Sequence, residues 1–267
     1  MLFKRILTSI LLIGMIALVV SSQLLVGLVV TLFIIGGLYE FFTMLEKKGI
    51  IIYKYFGIAI GTIIPLSIMF RFELTRGWEL FFAVLGLLSL ILMQFRRHQN
   101  SGVIVGISTT LFGILYVSWF FSFLIRIRHL EQGLGLLVTV LLITKLGDIG
   151  AYVVGSRLGK TPLMPRISPH KSVEGAAGGL LFSILGALIG KTLVSIPYPQ
   201  LVLLGIFIGV LGEVGDLSES LMKRDCGVKD SGNSFPGIGG FLDLIDSLLF
   251  TAPVFYFLCS YVIFRHY

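Results

Sequence analysis

A run of residues without any charge, from Ile6 to Tyr39, constrains this chain more than any other feature of its sequence. A helix that crosses a bilayer takes about 20 apolar residues, so the run is too long for one helix. The polar trio Ser21-Ser22-Gln23 lies inside it and is the natural break between two helices. A soluble protein would have to bury both of these apolar segments, together with the many further apolar segments that follow them in the chain.

Nine apolar stretches are candidates for membrane passes, the first and third being short. A cleaved signal peptide is the alternative for the first, but an uncleaved helix is expected. Only 13% of the residues are charged, against about 25% in an ordinary soluble domain. The sequence therefore predicts an all-α polytopic integral membrane helical bundle with about nine transmembrane helices. They are Ile6–Val20, Leu24–Leu45, Tyr55–Phe70, Trp78–Phe95, Val103–Ile125, Leu134–Val154, Ala176–Ile196, Leu201–Ser220 and Phe241–Phe264.

The positive charges set the expected orientation. The chain has 21 Lys and Arg against 14 Asp and Glu, a net charge of +7. Most of the Lys and Arg residues fall in inner loops if the N-terminus is inside and the C-terminus outside, as the positive-inside rule requires. We expect a multi-pass protein of the inner (cytoplasmic) cell membrane. Cytoplasmic loops explain the charge, and no nucleic-acid partner is expected.

Polar chemistry concentrates in the second half of the chain. All aspartates lie between Asp148 and Asp246. Residues 1–132 are therefore predicted to be transmembrane scaffold helices, and residues 133–267 a catalytic region with cytoplasmic loops 155–174 and 221–239. Both loops are rich in Gly, Pro, Ser and Lys, which suits ordered loops that approach a ligand closely.

Acidic residues gather where two of the predicted helices meet the inner boundary. The spacing of Glu213, Asp216, Glu219 and Ser220 places them on one helix face, and Asp243 and Asp246 begin the next helix on the same side. Oxygen ligands of this kind suit a hard cation, Mg²⁺ above all where phosphates complete its shell. The alternative is that the helix ends fray and these residues lie in water. This alternative is strongest for Glu219.

Basic residues accompany the acidic ones. Lys and Arg bind phosphate, although simple positive-inside topology also accounts for them. Lys145 and Asp148 form either a structural ion pair or part of the same cavity. Glu40 is isolated in an apolar helix and is interpreted as a buried hydrogen-bonding residue of unknown purpose. The phosphate-binding candidates are Lys223, Arg224 and Lys229 in one loop and Lys171 and Ser172 in the other.

The residues from Ser220 to Asp246 closely resemble the signature of phosphatidate cytidylyltransferases (CDP-diacylglycerol synthases). The stretches 148–152 and 168–175 are also similar to that family. Two positions depart from its pattern: Ile238 stands where the family has His, and Leu244 where it has Arg. The matching residues are Ser220, Lys223-Arg224, Lys229-Asp230, Phe235-Pro236-Gly237, Gly239-Gly240-Phe241-Leu242-Asp243 and Ile245-Asp246.

The resemblance implies transfer of the cytidylyl group of CTP to phosphatidate, which gives CDP-diacylglycerol and pyrophosphate, with one or two divalent cations, Mg²⁺ among them. Asp216, Asp243 and Asp246 would hold the metal. Lys223 and Arg224 would neutralise phosphates in catalysis. Substrate-binding roles would fall to Ser220, Lys229, Asp230, Lys171 and Ser172.

Two other functions use similar residues. A secondary transporter also places carboxylates within helices. A CTP-dependent lipid kinase would share the nucleotide and the membrane, but would release CDP. Abundant glycines permit close helix contacts within or between protomers, so a homodimer and a monomer both stay open.

Overall fold

The structure is a computed structural model that describes residues 18–71, 78–95, 101–235 and 239–263. Within these residues, six helical spans are long and apolar enough to cross a membrane, and two apolar helices are shorter. The long spans are α1 (Gln23–Lys47), α4 and α5 together (Val103–His129), α6 (Gly133–Leu158), α7 (Val173–Gly190), α8 (Tyr198–Asp225) and α9 (Phe241–Phe257, apolar to Ser260). The shorter helices are α2 (Lys54–Met69) and α3 (Trp78–Gln94).

Three irregular elements interrupt this helical pattern. A π-helical segment, Ile114–Trp119, joins α4 (Val103–Gly113) to α5 (Phe120–His129), and a second one, Leu258–Ile263, follows α9. Between α6 and α7 lies an antiparallel hairpin of β1 (Pro162–Met164) and β2 (Ser168–Ser172). The hairpin is small, so the prediction of a polytopic helical membrane protein is confirmed in its main part.

Most of the predicted passes coincide with helices. The predicted break at Ser21-Ser22-Gln23 is confirmed, because α1 begins at Gln23 and the Ser22 hydroxyl accepts a hydrogen bond from the Leu25 amide. The first pass, Ile6–Val20, lies mainly outside the described residues. The total of nine passes therefore stays a prediction.

The predicted loop boundaries need correction. The loop at 155–174 is in fact the end of α6, the hairpin and the first residues of α7. The loop at 221–239 is shorter than predicted, because α8 continues to Asp225 and includes Lys223 and Arg224. Basic side chains in a last helical turn interact favourably with the carbonyl end of the helix dipole, which favours this extension.

Glycines allow α6, α7 and α8 to pack closely. A Cβ atom at Gly186 of α7 would lie 2.8 Å from the Leu142 carbonyl oxygen of α6, and one at Gly205 of α8 would lie 2.7 Å from the Ile184 Cα. Gly175 of α7 also lies close to α6, since its Cβ would lie 3.1 Å from the Ala151 carbonyl oxygen. Small residues of this kind are typical of helix interfaces in membranes.

The helices meet at one end of the bundle, which we call the site end. There α1, α6 and α8 finish and α7 and α9 begin. An ion pair between Lys48 and Asp225 joins the ends of α1 and α8, and another between Lys223 and Asp243 joins α8 to the start of α9. The alternation of helix direction thus brings the polar residues of five helices together.

Gly215 offers a test of this packing. A Cβ there would lie 2.5 Å from the Asp246 carbonyl oxygen, whereas at Gly212, one turn earlier, the nearest atom is 3.9 Å away. We expect Gly215→Ala to lower the free energy of unfolding by about 1–3 kcal/mol through overpacking. Gly212→Ala should be neutral or stabilising. Thermal unfolding in detergent measures both, and equal midpoints for the two variants would contradict the close approach of α8 and α9.

Candidate active site

One face of α8 carries a lysine-bridged pair of carboxylates. The Lys171 Nζ atom, from β2, lies 3.1 Å from Glu213 Oε2 and 2.7 Å from Asp216 Oδ2. The Ser220 hydroxyl donates to Asp216 Oδ1 at 3.4 Å. The prediction that Glu213, Asp216 and Ser220 share a face is confirmed. In addition, Lys171 reaches these carboxylates from the hairpin, which no pattern in the sequence indicated.

The charge of Lys171 is maintained by its neighbours. Burial works against the charged ammonium, but the carboxylates of Asp216 and Glu213 outweigh that effect and raise the pKa of Lys171 above its usual value of 10.5. A lysine in this setting is cationic throughout the physiological pH range. It is therefore available to bind a phosphate.

A second lysine, Lys223, lies between two other carboxylates. Its Nζ is 2.5 Å from Glu219 Oε2 and 2.5 Å from Asp243 Oδ1. The Glu219 side chain is 0% exposed, so the interpretation that Glu219 frays into water is wrong. Glu219 follows Glu213 by six residues, a rotation of about 600° that turns it away from the face of Glu213, and it points to the interior, whereas Asp216 is partly exposed. Lys223 thereby links α8 to α9.

Asp243 holds the start of α9 and the segment before it. Its Oδ2 accepts hydrogen bonds from the Gly240 amide (2.7 Å), the Ser231 amide (3.1 Å) and the Ser231 hydroxyl (2.8 Å). Asp243 is thus a helix cap as well as the partner of Lys223. Both of its oxygens are engaged, so a metal at Oδ1 would have to share that atom with Lys223.

Asp246 lies one turn further along α9 and faces α8. Its carboxylate interacts electrostatically with those of Asp216 and Asp148 and with the ammonium of Lys145. Its Oδ1 accepts a hydrogen bond from the Ser247 amide at 2.5 Å. The close approach of the two helices at Gly215 brings these carboxylates near each other. Their repulsion favours a bound cation or proton.

Lys145 and Asp148 form the structural ion pair that was one of their two expected roles, and both also contact α9. They form an ion pair of 2.9 Å within α6, and Lys145 Nζ also donates to the Leu244 carbonyl oxygen (3.3 Å) and the Ser247 hydroxyl (3.1 Å) of α9. The Ser247 hydroxyl in turn donates to Asp148 at 3.1 Å. Ser247 was missed because a single serine in an apolar helix carries no distinctive signal.

The remaining predicted residues have mixed placements. Arg224 donates to the carbonyl oxygens of Ile167 (3.2 Å) and Val228 (3.4 Å), and so connects α8 to the hairpin. The Ser172 hydroxyl accepts from the Gly175 amide at 3.0 Å and caps α7. Its role toward phosphate is untested. Lys229 and Asp230 are exposed, and Ile238 lies outside the described residues.

The structure does not by itself display a metal centre. In the ranges that it describes, no group of three or more His, Cys, Asp or Glu residues is arranged to hold an ion. Asp216 and Asp246 are near enough to interact electrostatically, whereas Asp243 is engaged by Lys223 and by the Gly240 amide at the start of α9. The metal assignment stays a prediction for all three aspartates.

Comparison of the whole chain with known proteins identifies its family. The sequence pattern of the cytidylyltransferase family matches residues 3–262 of this chain. The chain belongs to the cytidylyltransferase family. Its resemblance to that family, first seen between Ser220 and Asp246, is therefore confirmed, and it extends over nearly the whole chain.

Curated relatives make the cytidylyltransferase match more specific. A phosphatidate cytidylyltransferase of Synechocystis sp. is 37% identical over 260 residues, covering 85% of this chain and 86% of the relative. The phosphatidate cytidylyltransferase of Thermotoga maritima is 33% identical over 254 residues, which cover 92% of this chain and 89% of the relative. That of Bacillus subtilis is 44% identical over 149 residues, 55% of each chain.

The raised pKa of Lys171 predicts a pH dependence of stability. The stabilisation that Lys171 supplies is complete below the pKa of an unfolded lysine, about 10.5, and is lost only as the pH rises through the higher value of the folded state. Lys171→Met should therefore unfold at a lower temperature than the wild type at pH 7 to 9.

The difference should shrink only above about pH 10.5. Lys160→Met, at an exposed position of the same connection, is the matched control and should have little effect at any pH. Thermal midpoints from pH 7 to 11 provide the measurement. A difference that vanishes below pH 10 would show that the carboxylates do not raise this pKa.

Proposed function

We propose that the chain transfers the cytidylyl group of CTP to phosphatidate, giving CDP-diacylglycerol and pyrophosphate. The observation that carries the proposal is the convergence of Lys145, Lys171 and Lys223 with Asp216 and Asp246 at one end of a membrane helix bundle. Cations and carboxylates together suit a reaction between two polyanions and a metal ion. Family membership and the names of the relatives support the same reaction.

The reaction needs little acid–base chemistry from the protein. A phosphate monoester has a second pKa near 6, so the phosphate of phosphatidate is largely dianionic at neutral pH. One of its oxygens forms a bond to the α-phosphorus of CTP, while the bond from that phosphorus to the β-phosphate oxygen breaks and pyrophosphate leaves. Alignment and charge neutralisation are what such a transfer requires.

The proposed cation site consists of Asp216, Asp243 and Asp246. The proximity of Asp216 and Asp246 fits a divalent ion, whose charge would relieve the repulsion between them. Asp243 would join if Lys223 moved onto a substrate phosphate. Bound Mg²⁺, as one or two ions, would supply neutralisation of the triphosphate and a fixed geometry for its phosphates.

The lysines are proposed to bind the phosphates. Lys171 and Lys223 are each held by two carboxylates, which keeps them charged and oriented before substrate arrives. A substrate phosphate would replace one carboxylate partner of each. The further proposed contacts to CTP or lipid phosphate are Arg224, Ser220, Lys229, Asp230 and Ser172.

The finer membrane arrangement is part of the same proposal. It has nine passes, an N-terminus inside, a C-terminus outside, and the site end facing the cytoplasm. CTP would arrive from the cytoplasm and phosphatidate sideways from the inner leaflet. Residues 1–132 would act mainly as scaffold and residues 133–267 as the catalytic region, in a protein that forms homodimers.

The first test compares two aspartates at the site with one outside it. Asp225 pairs with Lys48 and its side chain is 65% exposed. We expect Asp216→Asn and Asp246→Asn to lower kcat by about 10²-fold or more, because developing charge loses its stabilisation. Asp225→Asn should stay near wild type.

The assay is pyrophosphate release in mixed micelles containing Mg²⁺, CTP and phosphatidate, with each omitted in turn. A CDP-lipid product distinguishes the transferase from a lipid kinase, which would release CDP. Solute flux without consumption of CTP would instead favour a transporter. Near-normal turnover by both site variants would remove the metal assignment.

Lys145 offers a second test, because it lies beside Leu244, one of the two positions where the chain departs from the family pattern. Its Nζ lies 3.3 Å from the carbonyl oxygen of Leu244, which stands in place of an Arg. We propose that Lys145 provides the positive charge that Leu244 lacks. Lys145→Ala should lower kcat/KM about tenfold, the value of one charge-assisted hydrogen bond.

The double variant Lys145→Ala/Leu244→Arg should recover a large part of that loss, and Leu244→Arg alone should change little. Steady-state kinetics with varied CTP measures all three variants. If the double variant is no better than Lys145→Ala, the two positions do not substitute for each other.

A further inference from the structure

Glu40 is an acidic residue in the middle of an apolar helix, α1, far in sequence from the other site residues. We propose that Glu40 is a positioning residue: it holds residues 231–235 and 239–242, which we call the segment, in place, and thereby fixes Asp243 and Lys223 for catalysis. The inference rests on the proposed function for its catalytic part. Its structural part can be measured independently.

The contacts of Glu40 all lie in that one segment. Its Oε1 accepts a hydrogen bond from the Ser234 hydroxyl at 2.7 Å, and its Oε2 accepts from the Ser231 hydroxyl and the Leu242 amide, each at 3.0 Å. Glu40 is only 5% exposed. A buried carboxylate is costly unless donors surround it, and in the described part of the chain its donors all come from the segment.

One of these donors connects Glu40 directly to the site. The Ser231 hydroxyl lies 3.0 Å from Glu40 Oε2 and 2.8 Å from Asp243 Oδ2. A hydroxyl has a single proton, which it can donate to only one acceptor at a time. The two carboxylates are therefore coupled through Ser231. A displacement of Glu40 changes the hydrogen bonding of the residue that holds Lys223.

The start of α9 depends on the same two acids. The Leu242 amide donates to Glu40 and the Gly240 amide to Asp243. Amides of a first helical turn have no partner within the helix, and negative charge there also suits the helix dipole. Glu40 of α1 thus completes the cap of the helix that carries Asp243 and Asp246.

Glycines at positions 232 and 240 make room for the Glu40 carboxylate. A Cβ atom at Gly232 or Gly240 would overlap its carboxylate. One to two turns earlier on α1, Phe33 packs on Phe235 and Phe241, with ring centroids 6.3 and 5.3 Å away. These rings hold the segment against α1, while Glu40 sets its register at the site.

The experiment compares Glu40→Ala and Glu40→Gln with Glu46→Ala. Glu46 lies on the same helix, pairs with Lys54 and has no described contact with the segment. We expect Glu40→Ala to lower kcat on the order of 10²-fold, the effect of a small misplacement of catalytic groups. It should also speed hydrogen exchange at the Ser231, Gly240 and Leu242 amides, while exchange in α6 stays unchanged.

Glu40→Gln should retain kcat within about threefold of wild type and near-normal exchange, because one amide oxygen can still accept from Leu242 and Ser231 while the amide nitrogen donates to Ser234. Glu46→Ala should match wild type in both readouts. If Glu40→Ala does not fold, Gly232→Ala, which displaces the carboxylate, should show the same local pattern.

Wild-type kcat in Glu40→Ala would overturn the proposal. So would faster exchange spread evenly over the bundle, since that is the signature of a general structural role. If wild-type protein made no CDP-lipid at all, the proposed function would fail. The exchange experiment would still decide whether Glu40 holds the segment.

Discussion

The pairing of buried acids with cations and amide donors is the interaction on which the site end depends. A carboxylate within a membrane bundle is costly unless lysines or backbone N–H groups surround it. Lys171 pairs with Glu213 and Asp216 and so joins β2 to α8, while Lys223 pairs with Glu219 and Asp243 and so joins α8 to α9. The ion pairs therefore assemble the site as well as neutralise it, and a substrate phosphate meets lysines that are already oriented.

Close helix packing makes this network possible. Glycine at position 215 lets α8 approach the Asp246 backbone of α9, so that two carboxylates from different helices come together. Among the described residues, Asp246 accepts one amide hydrogen bond, from Ser247, while the charge of Asp216 opposes its own. Such a pair attracts a cation, whereas Asp243 already has enough donors. Two aspartates of one signature thus have different surroundings.

The sequence predicted the helical membrane fold and the shared helix face of Glu213, Asp216 and Ser220, and for physical reasons. Apolar length identifies spans, and the spacing of Asp216 and Ser220 identifies a face. It could not predict that Glu219, on the same helix, is fully buried, because a turn of 300° over three residues leaves that choice to the neighbouring helices. It also placed Lys223 in a loop, because the pairs that tie the end of α8 to its neighbours, Lys223 with Asp243 and Lys48 with Asp225, join residues 20 and 177 positions apart.

Glu40 marks the division between sequence and tertiary structure. The sequence by itself determined that the chain spans a membrane, where its acids and bases concentrate and which family it resembles, since these follow from local composition and fixed spacing. Only the tertiary structure decided which acid meets which lysine, and that an isolated glutamate of α1 caps α9. Hydrogen bonds between residues about 200 positions apart depend on how helices pack, and no local pattern encodes that packing.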